Sequence, residues 1–179
     1  MTALKDKVAI ITGASSGIGR AAAKLFAAEG ARLVVTARRQ SELDALVGEI
    51  KAEGGEAIAV SGDIREEALA QRLVDTATER FGGLDIALNN AGIIGELGPI
   101  GEMASANWHE VIAINLTSAF LGAKHQVPAL EARGGGSLIF TSSFVGYTAG
   151  LSGMSVYSAS KASSEERRVG KECRSLWPP

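Results

Sequence analysis

The chain has one cysteine, Cys173, and two histidines in 179 residues. A lone cysteine excludes an internal disulfide and a cysteine-based metal cluster. His109 and His125 have no His, Cys or Glu at metal-ligand spacing, so packing or surface roles fit them better than a metal site. An excess of one charge is missing too: 18 Lys and Arg against 20 Asp and Glu leave a net charge of −2. Neither nucleic acid nor an anionic membrane is an implied partner. No apolar run approaches the ~18 residues of a membrane span, and the N-terminus lacks the charged-then-apolar order of a signal peptide. These absences favour a cytoplasmic protein. The 46% hydrophobic content suits one globular domain with a core.

What is present starts with Thr12-Gly13-Ala14-Ser15-Ser16-Gly17-Ile18-Gly19, between the apolar run Val8–Ile11 and a helical pattern from Arg20. A helix N-terminus offers unpaired N–H groups and about half a positive charge, so it attracts phosphate. Glycines allow positive φ there and remove the Cβ that would keep a ligand away. The spacing Gly-x-x-x-Gly-x-Gly is neither the Gly-x-Gly-x-x-Gly of the usual dinucleotide turn nor a P-loop. Alone, it is also compatible with a plain strand-to-helix turn.

Further along, apolar runs at Leu33–Val35, Ala57–Val60, Leu84–Leu88 and Ser137–Phe140 alternate with helical patterns. The patterns cover about 17–29, 41–52, 66–80 and 106–132, the last broken near Ile114-Asn115. Short apolar strands alternating with helices predict βαβ units and a parallel sheet. Right-handed crossovers then give a doubly wound α/β fold of Rossmann type. Trp108 is expected to pack, and Glu96 lies in a glycine-rich loop that could face a substrate.

Tyr157 and Lys161 stand four residues apart, so on a helix the phenol and the ammonium project from one face. A phenol with a pKa near 10 is a poor proton carrier at neutral pH, and a neighbouring cation favours its ionised form. Taken alone, the pair is also compatible with a solvated helix face.

With these residues in order, the chain resembles the short-chain dehydrogenase/reductase family over about residues 5–162. Thr12 with Gly13, Gly17 and Gly19 matches its cofactor turn, which assigns Ser15, Ser16 and Ile18 to the cofactor as well, and Asn89-Asn90-Ala91-Gly92 matches its next signature. Asn115 matches the asparagine of the following helix, Ser143 the catalytic serine after the fifth strand, and Tyr157 with Lys161 the closing pair. The gap from Ser143 to Tyr157 is a residue longer than usual, which keeps Ser142 as an alternative. The resemblance implies that Tyr157 is the general acid in carbonyl reduction and the base in alcohol oxidation. It implies that Lys161 assists Tyr157 and binds the nicotinamide ribose. Ser143 would bond the substrate oxygen, and Asn115 would hold a backbone distortion and a water.

The end of the second strand bears on the cofactor. A carboxylate there would accept from a ribose 2′-OH, but Ala37 holds the position and Arg38 follows, a planar fork suited to phosphate. NADP is therefore favoured over NAD, with Asp63 and Ile64 assigned to the adenine end. The implied partners are a small ketone or secondary alcohol and, at full length, further copies in a homodimer or homotetramer. A non-catalytic NAD(P)-binding or redox-sensing module is the other reading. A nucleotide-sugar epimerase of the related extended group is disfavoured by the glycine spacing.

Family members continue well past the Tyr/Lys pair, whereas residues 163–179 carry no apolar stripe and match no family segment. The expectation is a domain over 1–162, incomplete at its C-terminal sheet edge, with a non-native tail at 163–179. An open apolar edge on the fifth strand, poor solubility and little activity are expected of such a chain.

Overall fold

The computed structural model describes residues 2–146 and 148–162, so the tail assigned to 163–179 lies outside the described residues. Strands β1 (Val8–Thr12), β2 (Arg32–Thr36), β3 (Glu56–Ala59), β4 (Ile86–Asn89) and β5 (Ser137–Phe140) form a parallel sheet in the order β3-β2-β1-β4-β5. Ile10 lies opposite Val34 on one side and Ala87 on the other. The chain starts at the centre, winds out to β3, then returns to build β4 and β5. That reversal opens a crevice at the carboxyl ends of β1 and β4, where such sheets take their ligands.

Both faces of the sheet are covered, which is why its central strands are continuously apolar. Successive side chains point to opposite faces. Ala9, Ile11, Leu33 and Val35 pack against α1 (Gly17–Ala28) and α2 (Gln40–Ala52) through Ala23, Leu43, Leu46 and Ile50. Val8, Ile10 and Val34 meet Leu69, Leu73, Val74, Ala77 and Phe81 of α3 (Glu67–Phe81) and Leu130 of α5 (Ser118–Ala132). Each fully buried Leu or Ile contributes about 1.5–3 kcal/mol of transfer free energy. Helix α1 stops where expected, at Gly30, whose φ of +88° turns the chain back toward β2.

One departure from the sequence reading, and the form of one expected break, have local causes. The fourth strand begins at Ile86, not Leu84, because Asp85 uses its side chain as well as its backbone. Its carboxylate accepts the Val8 N–H at 2.9 Å while its own N–H donates to the Val8 carbonyl at 2.9 Å. The helical stretch from Ala106, expected to break near Ile114-Asn115, is two helices, α4 (Ser105–Ile112) and α5, joined by a π-helical segment at Ala113–Thr117. Its extra residue per turn falls on the expected break, and such segments favour functional sites.

Helix α6 (Ser155–Ala162) ends the described residues. Strand β5 is the sheet edge beside it, with Ile139 40% exposed. Among the described residues, no helix is long and apolar enough to cross a membrane.

Candidate active site

The site is built on the turn between β1 and α1. Gly13 and Gly17 take φ of +69° and +55°, values open to glycine but not to most side chains. Their surroundings differ. A Cβ on Gly13 would stand 2.9 Å from the Ala91 Cα, whereas one on Gly17 would meet only open space. Gly19 is the tightest: a Cβ there would overlap the Gly13 carbonyl and lie 2.7 Å from Asn90 Nδ2. Gly13 and Gly19 therefore let the turn pack on the loop after β4, and Gly17 leaves the mouth of α1 clear. Ser16 is the N-cap, and its side chain makes no cap bond among the described residues.

Side chains tie three strand ends together behind this turn. Thr12 Oγ1 accepts the N–H groups of Asn90 and Ala91 at 2.9 and 3.0 Å, and Asn90 Nδ2 donates to the Thr12 carbonyl at 3.1 Å. Thr141 Oγ1, just past β5, donates to Asn90 Oδ1 at 3.2 Å. Asn89 faces the other way. It exchanges two hydrogen bonds with Gln126 of α5, at 2.7 and 3.2 Å.

The crevice is a cleft of about 450 Å³. It brings together Gly13, Ser15, Ser16, Ile18, Arg38, Asp63, Ile64, Asn90, Ala91, Gly92, Tyr157 and Lys161, all chosen from the sequence. Gly17, Gly19, Asn89, Asn115 and Ser143 are not on its wall. The sequence reading missed Thr36, Arg39, Gly62, Ile93, Ile94, Ile114 and Thr141. Thr36 and Thr141 sit at carboxyl ends of strands flanking β1 and β4, a signal that was available once the sheet order was known. Thr36 Oγ1 is buried without a hydrogen-bond partner among the described residues.

Cations gather at one end of the cleft. Arg38 and Arg39 are exposed, and Arg39 Nη2 donates to Ser15 Oγ at 3.2 Å, across the mouth of the turn. Asp63 is engaged by Arg65, whose Nε donates at 2.9 and 3.0 Å. That guanidinium holds the Asp63 carboxyl below the usual carboxylate range, and the Arg38 charge adds to the effect.

At the other end stands α6. Tyr157 is half-buried, while Lys161 is 5% exposed, donates from Nζ to the Thr141 carbonyl at 2.8 Å and lies 6.0 Å from the Tyr157 ring centre. Burial pushes the Lys161 ammonium below the ordinary lysine value. The folded chain therefore binds fewer protons than the unfolded chain between that lowered value and 10.5, and stability rises with pH across this window. Denaturant titrations should show that rise in the parent protein and not in Lys161→Met; parallel pH profiles would contradict the assignment.

Asn115 sits in the π-helical segment and is buried. Its Oδ1 accepts the Ile93 N–H at 2.8 Å, and its Nδ2 donates to the Ile93 carbonyl at 2.8 Å and to Ser160 Oγ at 2.9 Å. Gly92 makes this possible: a Cβ there would press within 3.2 Å of Asn115 Oδ1 and 3.4 Å of Lys161 Nζ. Ser143 is half-buried, and its hydroxyl accepts the Val145 N–H at 3.3 Å; Ser142 is exposed. Trp108 does not pack as expected and is 44% exposed. His109 is exposed, and His125 Nε2 lies 3.0 Å from Glu67, away from the cleft. Among the described residues no cluster of His, Cys, Asp and Glu could hold a metal ion.

The comparisons with known proteins agree with this architecture. A sequence model of the short chain dehydrogenase family matches residues 7–166. A cyclohexanol dehydrogenase from an Acinetobacter species is 39% identical over 156 residues, 87% of this chain and 62% of that one. A 2,5-dichloro-2,5-cyclohexadiene-1,4-diol dehydrogenase from Sphingobium indicum is 40% identical over 159 residues, 89% and 63% of the two chains. The crystal structure of a 3-ketoacyl-ACP reductase from Sinorhizobium meliloti superposes with a TM-score of 0.85 at 40% identity, covering 88% of this chain and 62% of that one. The chain belongs to the short-chain dehydrogenase family. It spans about 63% of the length of the curated relatives it matches.

Proposed function

We propose that the chain carries the cofactor cradle and the proton-transfer group of an NADP(H)-dependent oxidoreductase acting on a ketone/secondary-alcohol pair. The observation that carries this reading is one cleft with the glycine turn and Arg38 at one end and Tyr157 and Lys161 at the other. Its wall suits a dinucleotide. The open space over Gly17 admits a pyrophosphate at the α1 N-terminus, and Gly92 and Lys161 line the same wall further along. When bound, a nicotinamide would supply or accept the hydride.

The rest falls to the chain's own residues. The Tyr157 hydroxyl gives its proton to the carbonyl oxygen in reduction and takes the alcohol proton in oxidation. The Lys161 ammonium stabilises the negative phenolate oxygen, and its bond to the Thr141 carbonyl keeps it in place. Ser143, whose oxygen accepts the Val145 N–H, would donate its own proton to the substrate oxygen, where charge develops. The two dehydrogenase relatives named for alicyclic alcohols support a secondary alcohol as the reduced partner.

The 2′-phosphate preference rests on Arg38, with no carboxylate at Ala37 to take a ribose hydroxyl. A charge-assisted bond to phosphate supports roughly 10- to 100-fold in affinity. Arg38→Ala should raise the dissociation constant for NADPH by about that factor and leave NADH within about threefold. Equal losses for both nucleotides would contradict the assignment.

A further inference from the structure

Ser160 was given no role by the sequence and does not line the cleft, yet it is fully buried, at 0% exposure, where the site's hydrogen bonds cross. Its Oγ donates to the Tyr157 carbonyl at 2.7 Å, one turn back along α6, and accepts from Asn115 Nδ2 at 2.9 Å. A hydroxyl has one proton to give. With that proton on the Tyr157 carbonyl, the bond to Asn115 must run from the amide to the hydroxyl. Asn115 is oriented to supply it, because Ile93 fixes the same amide from the other side through two bonds of 2.8 Å. The result is a directed chain from the cleft wall at Ile93, through the π-helical segment, to the backbone of Tyr157.

Helix α6 is tied to the rest of the fold by Lys161 Nζ, bonded to the Thr141 carbonyl at 2.8 Å, and by the Ser160–Asn115 link. Over its described span, Ser155–Ala162, it buries one apolar side chain, Val156. Loss of one of these polar ties lets the helix tilt by fractions of an ångström, and the Lys161 charge acts on the phenol through a distance-dependent attraction. We infer that Ser160 is a positioning residue, clamping α6 to the π-helical segment so that the Tyr157 phenol and the Lys161 ammonium keep their separation. The inference rests on Tyr157 being the acid–base group.

The chain has two tyrosines, Tyr147 and Tyr157. In a Tyr147→Phe background the ultraviolet absorbance of phenolate therefore reports Tyr157 alone, without any need for turnover. Ser160→Ala should raise the midpoint of that titration by about half a pH unit or more. Ser160→Thr, which keeps the hydroxyl, should return it to the parent value. Ser160→Cys, close in size but a weak donor, should follow alanine and serves if the alanine variant does not fold. An unmoved midpoint in both Ala and Cys overturns the inference, and so does a threonine variant shifted as far as alanine, which would mean packing alone. Failure of the acid–base reading would show elsewhere, as turnover that survives Tyr157→Phe.

Discussion

Tyr157→Phe should lower NADPH-dependent ketone reduction by roughly 10²- to 10⁴-fold, the usual contribution of a positioned general acid. The substitution removes one oxygen and leaves the ring, so the packing of α6 is kept. It also leaves the far end of the cleft untouched, where the glycine turn and Arg38 lie. Nucleotide affinity should accordingly change by less than about threefold, placing the loss in kcat and not in binding. The assay belongs on the protein at the length of its relatives, with a panel of ketones and with NADPH binding measured in parallel. Turnover within threefold of the parent would remove Tyr157 from the reaction. A collapse of nucleotide binding would instead make it a structural residue.

Gly19→Ala should have the second largest effect, and it acts through backbone. The added methyl meets the Gly13 carbonyl, which is backbone, and Asn90 Nδ2, the end of a side chain pinned by its own hydrogen bonds. Relief requires the turn to move away from Asn90, which Thr12 and Thr141 hold in place. Overpacking of this kind costs about 1–3 kcal/mol. Displacing the N–H groups at the start of α1 should weaken NADPH binding by roughly 10²-fold, the loss of one or two charge-assisted bonds to phosphate. Gly48→Ala is the control. Gly48 lies inside α2 with open space where its Cβ would be, so alanine there should stabilise by about 0.5–1 kcal/mol and leave binding alone. Gly19→Ala binding NADPH as tightly as the parent would mean that the turn is not the phosphate site.

How legible the site was depended on which side chains local patterning governs. The continuously apolar Val8–Ile11, the glycine spacing and the four-residue step from Tyr157 to Lys161 are local properties; the fold followed from the strand and helix patterns, and both ends of the cleft from the family resemblance that the motifs together carry. Neighbouring residues at a strand end are harder. Asn89 and Asn90 read alike in sequence, but alternation sends Asn90 to Thr12 and Thr141 and Asn89 to Gln126. Thr36 and Thr141 joined the cleft through sheet order, which periodicity does not specify. The break at Ile114-Asn115 was visible, but its π-helical form was not, because it is held by Asn115 bonds to Ile93 and Ser160, distant in sequence. Asp85 shortened β4 for a similar reason: its carboxylate replaces a ladder bond, and sequence patterns count such a residue as strand or turn equally well.

The cleft is proposed to bind a phosphorylated pyridine dinucleotide. Titrating the parent chain with NADPH and, separately, with NADH, following nucleotide fluorescence, tests it most directly. The account predicts saturable binding of both, tighter for NADPH by roughly 10-fold or more, with the preference erased in Arg38→Ala. No saturable binding of either nucleotide, or a preference for NADH, would contradict it.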